Sequence, residues 1–423
     1  MCKRQMLVFV VLGLLVILMA APQASAKKEL RVQLALPSVT IRYINNNVLP
    51  DFEKAHDVTV LIDKVNWITR QEKLLITTAG GVAPDVFMNG AQHILDLVET
   101  NLVSPLDREF ATWRDRSDFF PPAFGSSTWK GTNYGVPLYV APRLWWYRTD
   151  FFDTSGLDAA NPPATWSQLL AAAKKLTLTE SNSVIRQGYD LSRWTGKASA
   201  SGKIQDYVVY LWQNGGDLFD ERFEPLFQKL EGLETLQYLI QLKEAVRPPG
   251  FGLSLPGGSG DPILRGAAGI ALTAGGTATQ VYQVAPELVG AVRAILPVPG
   301  NKHRVTAVFS DWLAIHTQSQ NKELAWEFIK TLTSPTILMD IDAEQGLISP
   351  RRSTVSAYVR RWPLVQSVYD ALDFCRPFPV YPRAVDVAQA WADQYSLAIE
   401  GELAAHTALE EAARQWKAIL AQN

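Results

Sequence analysis

The sequence predicts an α/β fold in two lobes, each built on a mainly parallel sheet with flanking helices. Three observations carry that expectation. Strand-like and helix-like periodicities alternate from residue 30 to residue 88, the pattern changes around Tyr134 to Arg148, and 423 residues, 47% of them hydrophobic, hold more apolar material than one core needs.

Leu30, Val32, Leu34 and Leu36 alternate with other residues as in a strand, and Ile41, Ile44, Val48, Phe52 and Ala55 then follow helical spacing. Val58, Val60 and Ile62 read as a second strand. A helix from about Thr69 to Ala79 stops at Gly80-Gly81, and Val86-Phe87-Met88 reads as a third strand. This βαβαβ order predicts parallel pairing with a ligand crevice at the carboxyl ends of the strands.

The strand-like runs Gly135 to Val140 and Leu144 to Tyr147 are separated by Ala141-Pro142-Arg143, where the chain is expected to cross between lobes. After Pro162-Pro163, Thr165 is placed to cap a helix running to about Leu176, with Gln168 reaching back in a capping box. Helical spacing returns over 205–213, 231–245, 322–332, 384–398 and 403–420, whereas the Pro- and Gly-rich stretch 247–262 reads as a loop.

Lys3 and Arg4, the apolar run Met6 to Ala21, and Ala24-Ser25-Ala26 follow the order of a secretory signal peptide, with cleavage expected after Ala26. The apolar run is short for a spanning helix. Cys2 precedes that run, so it is not the cysteine a lipoprotein would acylate, and a free periplasmic protein is expected. Losing Lys3 and Arg4 takes the formal charge from −2 to −4, a balance that favours neither nucleic acid nor an anionic membrane as partner. Cys375 is then the single remaining cysteine, which precludes an intramolecular disulfide and suits a buried thiol.

The sequence has no HExxH, G-x-S-x-G, P-loop, G-x-G-x-x-G or CxxC motif. Its histidines, His56, His93, His303, His316 and His406, are scattered rather than paired at metal-ligand spacing, so no metal or cofactor is expected. Asp217 and Asp220 leave open a glycosidase-type acid and base, although a polar turn accounts for them with less.

Four separated blocks carry a resemblance. The first is Gly80-Gly81-Val82-Ala83-Pro84-Asp85-Val86 with Asn101 to Asp107. The second is Tyr134-Gly135-Val136-Pro137, Trp146 to Asp150 and Pro162 to Trp166. The third is Gly269 to Leu272, Gly275-Gly276 and Ile295 to Gly300, and the fourth is Leu313 to Ile315, Asn321 to Ile329, Gly346 and Ser349-Pro350-Arg351. In order and spacing the chain resembles the family 1 extracellular solute-binding proteins of ABC importers, which include maltose- and other sugar-binding proteins. The resemblance implies a two-lobed, type II periplasmic binding fold whose hinge is crossed three times. Residues 27–140 and 303–350 would then form the N-terminal lobe, and 141–302 and 351–423 the C-terminal lobe. It also implies a monomeric binder, not an enzyme, that closes on a neutral mono-, di- or oligosaccharide and hands it to membrane permease subunits.

Sugar pockets set flat aromatic faces against the apolar face of a pyranose and polar groups against its hydroxyls. Among 13 tryptophans, Trp166, Trp326, Trp391 and Trp416 have the helical spacing of core residues, whereas Trp67, Trp145, Trp146, Trp194 and Trp312, by their places after strands, past the crossing or in a loop, are the better stacking candidates. Polar candidates are Asn89 and Gln92 after the third strand, Tyr139 near the hinge, Asn214 and Asp311. In the third block Thr277-Ala278-Thr279 stands where the family often has a tryptophan, leaving Gly276 and Thr277 as that loop's candidates. Arg143 and Arg351 suit bidentate contacts, or equally a salt bridge, and they keep open a second reading, a binder of a sugar phosphate or other phosphate ester. A secreted glycoside hydrolase is the third.

Overall fold

The computed structural model describes residues 27–422 except Lys197, Ser259, Pro297, Val298 and Gly346. The leader Met1 to Ala26 and the motif positions Pro297, Val298 and Gly346 therefore lie outside the described residues. Along the chain the strands are β1 (Lys28–Leu34), β2 (Val58–Lys64), β3 (Val86–Gly90), β4 (Thr128–Trp129), β5 (Thr132–Asn133), β6 (Val136–Pro137) and β7 (Ala141–Arg148). They continue with β8 (Leu178–Glu180), β9 (Ser183–Tyr189), β10 (Gly252–Leu253), β11 (Ala268–Ala274), β12 (Val292–Ala294), β13 (Thr306–Phe309), β14 (Asp311–Ile315) and β15 (Cys375–Pro377).

The first sheet has the order β2-β1-β3-β14-β6, parallel through β1, β2 and β3 and antiparallel at β14. Its core is built as the alternation predicts. Leu30, Val32 and Leu34 turn inward with Val58, Val60, Val86 and Met88, and pack against Phe52, Phe328 and Ile329 from helices. The helix expected over Ile41 to Ala55 is broken by a π-helical turn, Ile44–Val48, directly before Leu49–His56. Pro50 lies in the first turn of that second helix and lacks an N–H, so the regular hydrogen-bond ladder cannot run through it.

The second sheet runs β10-β9-β11-β7-β13-β15, with β12 beside β7 and β8 beside β9. Here parallel and antiparallel pairings mix, because β7 lies antiparallel to β11, β12 and β13. Thr165 caps the helix Trp166–Leu176 as expected, its side chain accepting from the Gln168 amide at 3.2 Å. Gln168 reaches one residue further back than a capping box requires and accepts from the Ala164 amide at 2.9 Å. At the C-terminal end Ala384–Glu400 and Ala405–Leu420 pack together, burying Trp391 and Trp416.

The chain passes from one sheet to the other at Leu138 to Val140, between β6 and β7, and again at Ser310, between β13 and β14. Val140 also bridges to Ile348, a third strand of chain at this waist. Thr306–Phe309, placed with the N-terminal lobe by the sequence reading, pairs instead with β7 and β15 in the second sheet. No described helix is long and apolar enough to cross a membrane.

Candidate ligand cleft

A cleft of ≈ 770 Å³ opens between the two sheets at the waist, lined from both sides. Its first-sheet wall comes from the ends of β3 and β14 and from the helix Arg70–Ala79. Trp67, just after β2, is partly exposed into the cleft, and the Arg70 guanidinium lies 3.4 Å from its ring centroid. Arg70 also donates to the Trp67 carbonyl and, at 3.1 Å, to Asn89 Oδ1, which holds the ring in place from behind. A Cβ on Gly90 would lie 2.8 Å from Asp311 Oδ1 and 3.1 Å from the Trp67 ring, so the missing side chain is what lets acid and indole stand together.

Burial pushes the Asp311 carboxyl up to about 8, against the opposing pull of Arg70. The same burial pushes Arg70 down to about 10, against Asp311. At neutral pH this wall therefore offers a largely protonated acid, able to donate as well as accept, beside an aromatic face.

The second-sheet wall is built differently. Arg143 on β7 and Arg193 in the loop after β9 line the cleft with Gln205, next to Ser199 and Ser201 at the start of the helix Ala200–Gln213. Phe309, Phe378 and Tyr381 add aromatic surface, and the Arg143 guanidinium lies 4.8 Å from the Phe309 ring centre. Behind them Asp206, buried on the same helix, accepts from Arg193 Nε at 3.0 Å and from Trp194 Nε1 at 3.3 Å.

Of the residues singled out on sequence, Trp67, Gln92, Tyr139, Arg143 and Asp311 come together in this cleft. The others do not line it, each for a definite reason. Trp145 and Trp146 are buried because β7 is central and its sheet is covered on both faces, so even adjacent residues with opposite directions face core. Trp194 is buried against Tyr189 and Tyr210, and Trp312 against Phe87. Asn89 is spent on Arg70 and Gln71. Asn214 ends a helix, its amide donating to the Glu231 carbonyl and Glu234. Gly276 opens the helix Thr277–Val284, whose Thr277 hydroxyl is taken up by Asp261 and by Thr273 at 2.9 Å.

Arg351 is a structural tie. It is 1% exposed, donates to the Thr333 carbonyl at 2.6 Å and pairs with Asp118 at 3.2 Å. Asp217 and Asp220 are engaged in local structure outside the cleft: the first accepts from Trp212 and Arg376, the second from the backbone amides of Arg222 and Glu224. No cluster of potential metal ligands occurs among the described residues. Sequence reasoning missed Arg70, Arg193, Gln205, Phe309, Phe378 and Tyr381. Arg193 adjoins the stacking candidate Trp194, but spacing does not reveal the direction of its side chain.

Two α/β lobes joined at a waist, with a cleft lined from both, define a two-lobed, ligand-capturing protein. Residues 38–337 match the profile of bacterial extracellular solute-binding proteins, and the chain belongs to that family. A Brucella abortus (strain 2308) protein, named provisionally as a binding protein, is 24% identical over 369 residues, 86% of each chain. The mannitol-binding protein of Pseudomonas aeruginosa is 25% identical over 235 residues, 50% of this chain and 49% of its own. Among solved structures the fold is shared with an ABC transporter solute-binding protein from Thermotoga lettingae bound with α-D-tagatose, at TM-score 0.76 and 22% identity, covering 93% of this chain and 100% of that one. It is also shared with the cyclic α-maltosyl-1,6-maltose binding protein of Arthrobacter globiformis, at TM-score 0.78 and 19% identity, covering 94% and 100%.

Proposed function

We propose that this solute-binding protein captures a carbohydrate between its lobes and delivers it to the permease subunits of an ABC transporter. The observation that carries the reading is the pairing of an accessible ring, Trp67, with polar Gln92 and Asp311 on one wall, opposite Tyr381, Arg143 and Gln205 on the other. An aromatic face with flanking hydrogen-bonding groups is what a sugar ring's apolar face and hydroxyl rim require. The ligands in the names of the mannitol-binding relative and the two structural neighbours point the same way.

Because ligand atoms would touch both walls, binding would favour the closed arrangement by the difference in affinity between closed and open states. The protein acts as a monomer in the periplasm after cleavage behind Ala26. A thermal-shift screen of residues 27–423 against mono-, di- and oligosaccharides tests the ligand class, since a ligand of the folded state alone raises the melting temperature. A shift without turnover of the sugar is expected; release of reducing ends would favour a hydrolase instead. Edman sequencing of the exported protein should begin at Lys27, and a start at Met1 would remove the cleavage reading.

A further inference from the structure

The charges of the cleft do not balance. Three arginines line it, Arg70, Arg143 and Arg193, and Asp311 is the one carboxylate among the described lining residues. On the second-sheet wall Arg143 and Arg193 stand side by side, each donating through Nη2 to Gln205 Oε1, at 2.9 and 3.4 Å. Both lean on the same buried acid, but unequally. Asp206 meets Arg193 Nε at 3.0 Å and Arg143 Nε at 3.9 Å. Asp206 is therefore matched to Arg193, and Arg143 is the surplus cation, its Nε buried without a hydrogen-bond partner and its side chain 11% exposed.

We propose that this wall is a carboxylate subsite, so that the carbohydrate carries an acid group of the uronate type, held between the Arg143 and Arg193 guanidiniums. The inference rests on the carbohydrate reading and replaces the neutral ligand expected from sequence. On this wall the one positive charge that Asp206 leaves over matches a singly charged carboxylate, and a planar guanidinium matches its two oxygens. The electrostatic state of the pair agrees. Burial, and then the neighbouring Arg193, push Arg143 down to about 9, whereas Asp206 holds Arg193 above its ordinary value. An anion at this wall relieves the first of these. The start of the helix Ala200–Gln213, where Ser199 and Ser201 line the same wall, adds the positive end of a helix dipole.

The test compares matched acid and neutral sugars by isothermal titration: D-glucuronate, D-galacturonate and digalacturonate against D-glucose, D-galactose and galactobiose, with D-glucose 6-phosphate as a separate arm. At least one uronate is expected to bind tenfold or more tightly than its neutral partner. That preference should shrink in 0.5 M NaCl and vanish in Arg193→Gln. Arg143→Gln should remove it as well, with circular dichroism confirming that each variant folds. A neutral sugar binding as tightly as its acid partner overturns the carboxylate subsite and leaves the carbohydrate reading standing. Binding of the phosphate ester but of no uronate also overturns the subsite as proposed. Absence of binding to every sugar, acid or neutral, overturns both readings.

Discussion

The two walls of the cleft solve the problem of a buried charge in opposite ways. On the first-sheet wall Asp311 and Arg70 are each buried, and each is driven toward its neutral form by desolvation. On the second-sheet wall Asp206 has arginines on its near side and a tryptophan N–H behind it, and acts as the anchor of an ionic cluster. An aspartate with no cation in ion-pairing contact, such as Asp311 at the start of β14, supplies a titratable hydrogen-bonding group. Where the cation is in contact it supplies a fixed scaffold.

Substituting the two acids should therefore have opposite signs, and this is the sharpest way to break the contrast. Asp206→Asn leaves two guanidiniums without their counter-charge and is expected to cost about 3 kcal/mol or more in urea unfolding. Asp311→Asn should instead stabilise the protein above about pH 8, by on the order of 3 kcal/mol. The sign follows from protons. The Asp311 carboxyl, raised from 3.8 to about 8, stays protonated in the folded chain while the unfolded chain ionises it, so stability falls as pH rises between those values and levels off above them. Urea midpoints of wild type and Asp311→Asn should coincide near pH 4 and diverge toward pH 8. A constant difference across that range would show that Asp311 is not the titrating group.

Smaller effects test which rings belong to the cleft. Trp67→Ala should weaken the best carbohydrate ligand by about tenfold, or about 1.4 kcal/mol, in titration calorimetry. Trp145→Phe, inside the core under the other wall, should lower stability and leave affinity unchanged. Gly90→Ala should cost about 1 kcal/mol of stability and shift the Trp67 fluorescence, because the added methyl enters the space shared by Asp311 and the indole. An unchanged emission would mean that the ring is not held by that contact.

Much of the scaffold was legible in the chain. The period-two runs at Leu30 to Leu36 and Val58 to Ile62, the glycine stop at Gly80-Gly81 and the Thr165 cap are local properties, and each lies where the spacing puts it. The site was legible in part. Gln92, just after β3, and Asp311, at the start of the antiparallel β14 opposite Gly90, reach the cleft because both lie at the same edge of the sheet. The tryptophans misled, since a large ring serves core and pocket equally well and only its neighbours decide. Trp67 is held at the surface by Arg70, whereas Trp312 is seated against Gly135, whose missing side chain leaves it room.

The sequence by itself determined the first three strands, the longer helices of the second half, where the chain changes character between Tyr134 and Arg148, and the family to which those blocks belong. These follow from periodicity, capping and turn chemistry, whose partners lie within a few residues. Tertiary structure alone decided that β13 joins the second sheet, that Arg351 ties Asp118 instead of facing ligand, and that Arg143 meets Arg193 over one aspartate. The reason is physical: a side chain's charge state and exposure are set by neighbours distant in sequence, and a local pattern carries no record of them.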